Sequence, residues 1–343
     1  VTKIVTRASW IAAALTASTA LTPAFAQTPL DEVIVTAQKR EQNLQDVAQS
    51  VDIVRGDELD ALRGSAEDIL FLSARVPSVY AEGSFGRTFP RFYIRGLGNT
   101  DFDLNANQPV SLVYDDVVLE NPILKGFPVF DTARVEVLRG PQGTLFGRNT
   151  PAGVIKFESA RPTQEFEGYA KASYGRFQTG TLEAAVSGGL SDTVSARASG
   201  LYQTRDAYVE NVAPAGPEED FEGFDELAGR FQLLIEPKDA NVDILVNVHG
   251  RKLNGGSRTF RANAIQQGTG GLVDGFDRFT AQADAPQLLD VANFGANLKV
   301  NLGWGEGTLT SVTALETVSI DARGDVDGGF GAGFLGLSSP GFI

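Results

Sequence analysis

The sequence predicts an α+β domain followed by the strands of an antiparallel transmembrane β-barrel. Three observations carry that prediction: an export signal at the N-terminus, a mixed stretch of short apolar runs and helix signals to about residue 160, and seven period-two runs after it. Composition narrows the alternatives. The 343 residues include no cysteine and one histidine, which excludes a disulfide framework, a cysteine-ligated metal and a histidine cluster. Lys plus Arg total 29 against 43 Asp plus Glu, a net charge of −14, which argues against binding to a phosphate backbone. The 38 glycines argue for many turns and close strand approaches rather than an all-helical chain.

Lys3 and Arg7 precede an apolar run from Trp10 to Leu21, and Ala24-Phe25-Ala26 then supplies the small residues that a signal peptidase reads. Residues 1–26 are therefore expected to be a secretory signal peptide, cut after Ala26. The run is too short for a membrane-spanning helix of ~20 residues. A buried core helix is the alternative, and the order of charge, run and cleavage site favours export. No later apolar run reaches spanning length, so insertion would have to be as a barrel.

Residues 28 to about 160 read as the α+β unit. Asp57 to Gly64 carries acids at its start and Arg63-Gly64 at its end, a short helix. Ser65 to Leu72 reads as a second helix capped by Ser65. Strands are expected at Val51–Val54, Phe92–Ile94, Ser111–Leu119, Arg134–Leu138 and Val154–Phe157.

From Phe166 onward the pattern has period two. Leu227, Gly229, Phe231, Leu233 and Ile235 alternate with Ala228, Arg230, Gln232, Leu234 and Glu236. The same holds for Val242, Ile244, Val246 and Val248 against Asp243, Leu245, Asn247 and His249, and for Phe294 to Trp304. Runs of ~10 residues with one apolar and one polar face suit barrel strands, although a soluble sandwich shows the same alternation. Loop length decides between them. Long connections at Ala207–Phe224 and Lys252–Leu289 alternate with tight turns at Ser191-Asp192, Pro237–Ala240 and Gly305–Gly307, the short first connection Phe177–Gly180 being the exception. Outer-membrane barrels sort their two rims in this way, and a sandwich has no reason to.

The remaining motifs are specific. Asp31-Glu32-Val33-Ile34-Val35-Thr36-Ala37, with its lead-in Gln38 to Val47, resembles the energy-coupling box of TonB-dependent outer-membrane receptors. Phe92-Tyr93-Ile94-Arg95-Gly96-Leu97-Gly98 resembles that family's plug motif, and Val135 to Asn149 resembles its strongest one. Thr150 to Glu158 departs from the family's Gly-Gly-rich continuation. The resemblance implies an α+β plug domain followed by an antiparallel transmembrane β-barrel, incomplete at about seven of twenty-two strands. The domains would be 1–26 signal peptide, 27–50 TonB box and linker, 51–162 plug, and 163–343 the N-terminal part of a truncated barrel. Seven strands would leave two unpaired edges facing lipid, so this polypeptide alone is expected not to form a working pore.

The physical reading agrees at the box. Val33 to Thr36 is β-branched and extended, suited to pairing with the edge of another protein's sheet, although an ordinary first plug strand reads the same. The resemblance assigns Asp31, Glu32, Val33, Ile34, Val35, Thr36 and Ala37 to TonB binding, with ExbB and ExbD supplying energy in the inner membrane. It also implies that Arg95 and Arg139 pair with carboxylates on the barrel wall, for which Glu183 and Glu236 have the lumen-side parity. Gly140, Gly143 and Gly147 around Pro141 read as a sharp turn at φ > 0. A phosphate loop is rejected, because no Lys-Ser/Thr pair follows.

Two plug loops are expected at the extracellular vestibule. Phe85, Arg87, Asp101, Phe102, Asn105, Asn107 and Gln108 are the candidate ligand contacts, with aromatic and amide groups suited to an organic chelate or an oligosaccharide. Glu218, Glu219, Asp220 and Glu222 read as a solvated charge run. His249 reads as a polar wall residue. No cofactor is implied and no nucleophile is spaced to meet a base. The functional expectation is energised uptake of a large scarce solute across the outer membrane of a Gram-negative bacterium, with a ferric siderophore as the ligand. Carbohydrate uptake and a non-transporting TonB-binding fragment are the rivals.

Overall fold

The computed structural model describes residues 33–40, 42–63, 68–101, 103, 105–213, 216, 219–262, 264–326 and 328. The expected signal peptide, Asp31, Glu32, the expected cap Ser65, Phe102 and Glu218 lie outside the described residues.

The first unit begins with β1 (Ile34–Val35) and β2 (Gln42–Asn43), which pair antiparallel. Next come β3 (Ser50–Arg55) and the helix α1 (Gly56–Arg63). The second expected helix is instead a 3₁₀ segment, Ile69–Ala74. It is capped by Asp68, whose carboxylate accepts the Leu70 N–H at 2.9 Å. The hairpin β4 (Val79–Phe85) and β5 (Thr88–Ile94) follows. The expected single strand over Ser111–Leu119 is two, β6 (Val110–Tyr114) and β7 (Val117–Leu119). Asp115 and Asp116 have φ of 47° and 67°, and two positive φ values in succession reverse the chain into a tight hairpin. β8 (Thr132–Arg139), the one-turn helix α2 (Gly143–Phe146) and β9 (Gly153–Ser159) complete the unit.

These strands form a five-stranded sheet of order β3-β8-β9-β6-β7, in which only β6 and β9 run parallel. Strands β6 and β9 are buried along almost their whole length because both faces of the sheet are covered. One face packs on Leu59, Phe71, Leu72, Phe92 and Ile94, and the other on Val35, Ala37, Val47 and Phe146. Gly140 and Gly147 take φ of 92° and 80° around α2, as expected, whereas Gly143 opens the helix and has no positive φ.

The second unit is an antiparallel meander. Its strands are β10 (Glu167–Tyr174), β11 (Gly180–Ser191) and β12 (Val194–Arg205), then β14 (Phe224–Ile235), β15 (Val242–Gly255), β17 (Leu288–Trp304) and β18 (Gly307–Arg323). Each pairs with the next in chain order to make a seven-stranded sheet. Two short strands in the long loops, β13 (Glu210–Asn211) and β16 (Thr280–Ala281), pair with each other in parallel. Tight turns join one rim, and the long segments 206–223 and 256–287 lie at the other.

Alternation sets the two faces. Leu227, Phe231, Phe294 and Leu298 point away from the first unit and are exposed, Leu227 at 60% and Phe231 at 51%. Their neighbours Glu226, Arg230, Gln232 and Asn297 face the first unit and are buried. A sheet that is apolar outside and polar inside is the reverse of a soluble sandwich. The first unit sits against the polar face, where Leu201 and Ala228 of the wall join its apolar core and Ile123 packs with Phe224, Leu253 and Leu289.

Candidate functional site

The β1 segment is folded down onto the five-stranded sheet. Val33 accepts the Leu44 N–H at 2.8 Å, and Val35 and Ala37 are fully buried in the sheet's apolar layer. Between them Thr36 enters a charged cluster. Its N–H donates to Glu136 at 2.9 Å, and its hydroxyl accepts from Lys156 Nζ at 2.6 Å and donates to Glu158. Lys156 is buried and pairs with Glu158 at 2.7 Å and Asp116 at 3.1 Å. Burial pushes the carboxyl of Glu158 up, but Lys156 and Arg134 outweigh it and hold Glu158 below the usual range. The same contest at Asp116 leaves it at about 2, because Lys156 and Lys299 flank it. Lys299 belongs to the wall strand β17, and its ammonium lies 2.6 Å from Asp116. One charged cluster therefore touches Thr36, the sheet and the wall.

Further along the seam, Asp131 receives two bonds from Arg197, Nε at 2.8 Å and Nη2 at 2.6 Å. Such a fork fixes geometry as well as charge. Arg230 lies 4.7 Å over the Phe130 ring and donates to the Tyr114 hydroxyl. Asn247 donates to Asp115 at 3.1 Å. At the far end Arg87, in the β4–β5 turn, meets Glu226 at 2.8 Å, and Arg251 holds the other oxygen of Glu226 at 2.6 Å. Arg251 also donates to the Arg87 carbonyl at 2.9 Å. Beside it, Gly86 has φ of 64° and approaches the outer loop closely. A Cβ there would stand 2.5 Å from the Gly256 carbonyl oxygen.

This seam corrects the expected arginine pairing. Arg139 stays within the first unit, bonding Asp52, the Pro77 carbonyl at 2.8 Å and Ser78 Oγ at 3.0 Å. Arg95 is exposed, with φ of 53°, and has no ionic partner among the described residues. Glu183 does reach the first unit, but through the Asp131 N–H at 3.0 Å. At Arg197–Asp131 and Lys299–Asp116 the wall supplies the cation and the plug the carboxylate, and at Arg87–Glu226 the roles are reversed. A long guanidinium on a strand can span the gap to a short Asp in a turn, whereas Arg139 is used up by its own sheet. Arg197, Arg230 and Arg251 all have lumen parity, and a charged residue on that face was the available signal.

The expected vestibule contacts divide. Arg87 is turned to the wall, and Phe85 is half-buried with its ring 5.5 Å from Phe89. Gln108 is buried inside the first unit, donating to the Pro90 carbonyl at 3.1 Å. Asp101, Asn105 and Asn107 are exposed in one loop, where Asp101 caps the Asp103 N–H at 3.0 Å and Asp103 caps that of Asn105 at 2.8 Å. His249 faces the lumen, 3.3 Å from Glu316 and edge-on to Phe127 at 5.1 Å. Glu222 is not part of a solvated run: it is largely buried, and its carboxylate accepts the Thr259 N–H at 3.0 Å.

A globular sheet latched by charge to the polar side of a meander whose outer side is apolar defines a plug and the wall of a barrel. Residues 43–154 match the family model described as TonB-dependent Receptor Plug Domain. Over 131 residues the chain is 35% identical to the vitamin B12 transporter BtuB of Vibrio vulnificus, covering 36% of this chain and 20% of that protein. It is 26% identical over 162 residues to the ferric-pyoverdine 358 receptor of Pseudomonas putida, covering 47% and 19%. The crystal structure of the ferric yersiniabactin uptake receptor FyuA from Yersinia pestis has the same fold. It superposes with a TM-score of 0.68 at 20% identity, over 80% of this chain and 42% of that one. The chain carries the plug domain of the TonB-dependent receptors at residues 43–154. It spans about a fifth of the length of the two sequence relatives.

Proposed function

We propose that the chain acts in TonB-dependent uptake of a large scarce solute across the outer membrane, with a ferric siderophore as the cargo. The observation that carries this reading is the position of Thr36, held by Lys156, Glu136 and Glu158 in a cluster that continues through Asp116 to Lys299 on the wall. TonB, energised by ExbB and ExbD, takes hold of residues 31–37 by strand pairing. A pull there strips the Thr36 contacts from Lys156. A shift of the plug that follows parts Asp116 from Lys299 on the wall. A buried pair broken in this way is costly, so the seam yields as a unit rather than gradually. Lipid covers the apolar outer face. The siderophore assignment is supported by relatives named as receptors for ferric pyoverdine and ferrichrome, among others named for vitamin B12.

Deleting residues 31–37 is expected to abolish energised uptake of a radioiron-labelled siderophore while ligand binding at the cell surface persists. Unchanged uptake would remove the coupling role. Expression that ignores iron starvation would remove the siderophore assignment and leave coupled uptake of another solute, such as a glycan.

A further inference from the structure

The three outer connections enclose a cavity of about 450 Å³, within the range of small-molecule sites. Arg176, Arg258, Arg261 and Arg278 line it, against one carboxylate, Glu222. This is a concentration of positive charge in a chain whose net charge is −14. Three rings join them. Phe177 and Tyr208 stack with centroids 4.2 Å apart, and Phe279 lies 5.9 Å from Phe177. The guanidinium of Arg176 sits between rings, 4.5 Å from Phe177 and 5.0 Å from Phe279.

The arginines are unequally engaged. Arg261 is structural, because it donates to the carbonyls of Thr280 at 2.9 Å and Arg278 at 2.7 Å. Arg258 approaches Glu222 only to 3.9 Å, and Arg278 lies 4.8 Å over Phe279. Arg176 and Arg278 are exposed. A second observation is independent of charge. Thr259 lines the same cavity, is 9% exposed, and its Oγ1 is buried without a hydrogen-bond partner. A buried hydroxyl left unpaired is costly, and a ligand oxygen would remove that cost.

A chain of stacked side chains links the cavity's Tyr208 to the plug. The guanidinium of Arg205 lies 4.9 Å from Tyr208 on one side and 4.9 Å from Phe224 on the other. Arg87 of the plug lies 4.1 Å over that same Phe224 ring.

We propose that this cavity receives a polyanionic solute carrying flat aromatic groups, its oxygens taken by Arg176, Arg258, Arg278 and Thr259 and its rings stacked on Phe177, Tyr208 and Phe279. The inference deepens the uptake reading and rests on it for the idea that the bound solute is cargo. Guanidinium selects carboxylate or catecholate oxygens, and ring faces add attraction that a neutral, ring-free chelate cannot use.

The test uses the full chain in detergent and two iron(III) probes at low salt. One is the tris-catecholate complex, a trianion with three rings. The other is the tris-acetohydroxamate complex, neutral and without rings. Retention of iron is read by equilibrium dialysis. Wild type is expected to retain the trianion at least about tenfold more tightly than the neutral complex, with the preference shrinking as salt rises. The Arg176→Glu/Arg278→Glu double variant is expected to lose about tenfold for the trianion and nothing for the neutral complex. Arg176→Lys/Arg278→Lys, with the same β-sheet circular dichroism, is expected to recover most of the loss. Equal retention of both probes by wild type, or a Glu variant that binds the trianion as wild type does, would overturn the proposal. No TonB is present in the assay, so its failure leaves energised uptake standing, and failure of the box deletion leaves the anion site standing.

Discussion

Asp131 of the plug and Arg197 of the barrel wall meet through two hydrogen bonds of 2.6 and 2.8 Å, with side chains 1% and 6% exposed. A buried charge is stable only with its partner, so the pair is a fastening that holds while intact and is costly when halved. Arg230 adds to it by donating to the Asp131 carbonyl at 3.3 Å.

Replacing one member alone should therefore cost more than replacing both. Asp131→Ala is expected to lower stability by less than the ~3–5 kcal/mol of a fully orphaned buried charge, because Arg197 keeps one partner, the half-exposed Glu167 at 2.9 Å. The double variant Asp131→Leu/Arg197→Leu is expected to lose clearly less than the sum of the two single changes. Urea unfolding of the refolded chain, followed as a double-mutant cycle, measures the difference. Additive losses would show that the two side chains do not act as a pair.

The latch at Thr36 predicts a change in mobility. Lys156→Met removes the ammonium that donates to the Thr36 hydroxyl and leaves Glu158 and Asp116 facing each other without their shared cation. The β1 segment should come away from the sheet. The chain has no cysteine, so Val33→Cys offers a single site for a spin label. A broad, immobilised spectrum in the parent is expected to sharpen in the Lys156→Met background. A spectrum that stays broad would show that Lys156 does not hold β1.

Lys125 gives a pH dependence with a defined sign. Its ammonium is buried and donates to the Val110 carbonyl at 2.9 Å. Burial lowers its pKa from 10.5 to about 8, with Glu120 opposing only in part. The folded state thus binds the proton less well than the unfolded chain. The penalty is fully present below pH 8 and is relieved as pH rises toward 10.5. Lys125→Met is expected to be more stable than wild type at pH 7, and the gap should close between pH 8 and 10.5. Denaturation midpoints across that range check it, and a constant gap would remove burial as the cause.

The period-two runs were legible because a strand between lipid and a polar lumen must alternate, and Leu227 and Phe231 did face outward while Arg230 and Gln232 faced in. The plug motifs were legible as sequence patterns that match a family. Partners across the seam were not. Arg139 and Arg197 are both arginines flanked by small or apolar neighbours, and nothing local says that one would be consumed by Asp52 and the other would reach Asp131. The Asp115-Asp116 turn escaped for a similar reason, since two aspartates inside an apolar run do not announce a reversal with positive φ.

By itself the chain of residues determined where strands lie, which face of each meets lipid, and which rim carries the long loops, because these follow from local periodicity and turn chemistry. Only the tertiary structure decided that Thr36 would rest on Lys156, that Asp131 would take Arg197, and that arginines from two separate loops would gather around Phe177 and Tyr208. Those meetings join residues far apart along the chain, and which charge neutralises which is set by distance and burial in three dimensions.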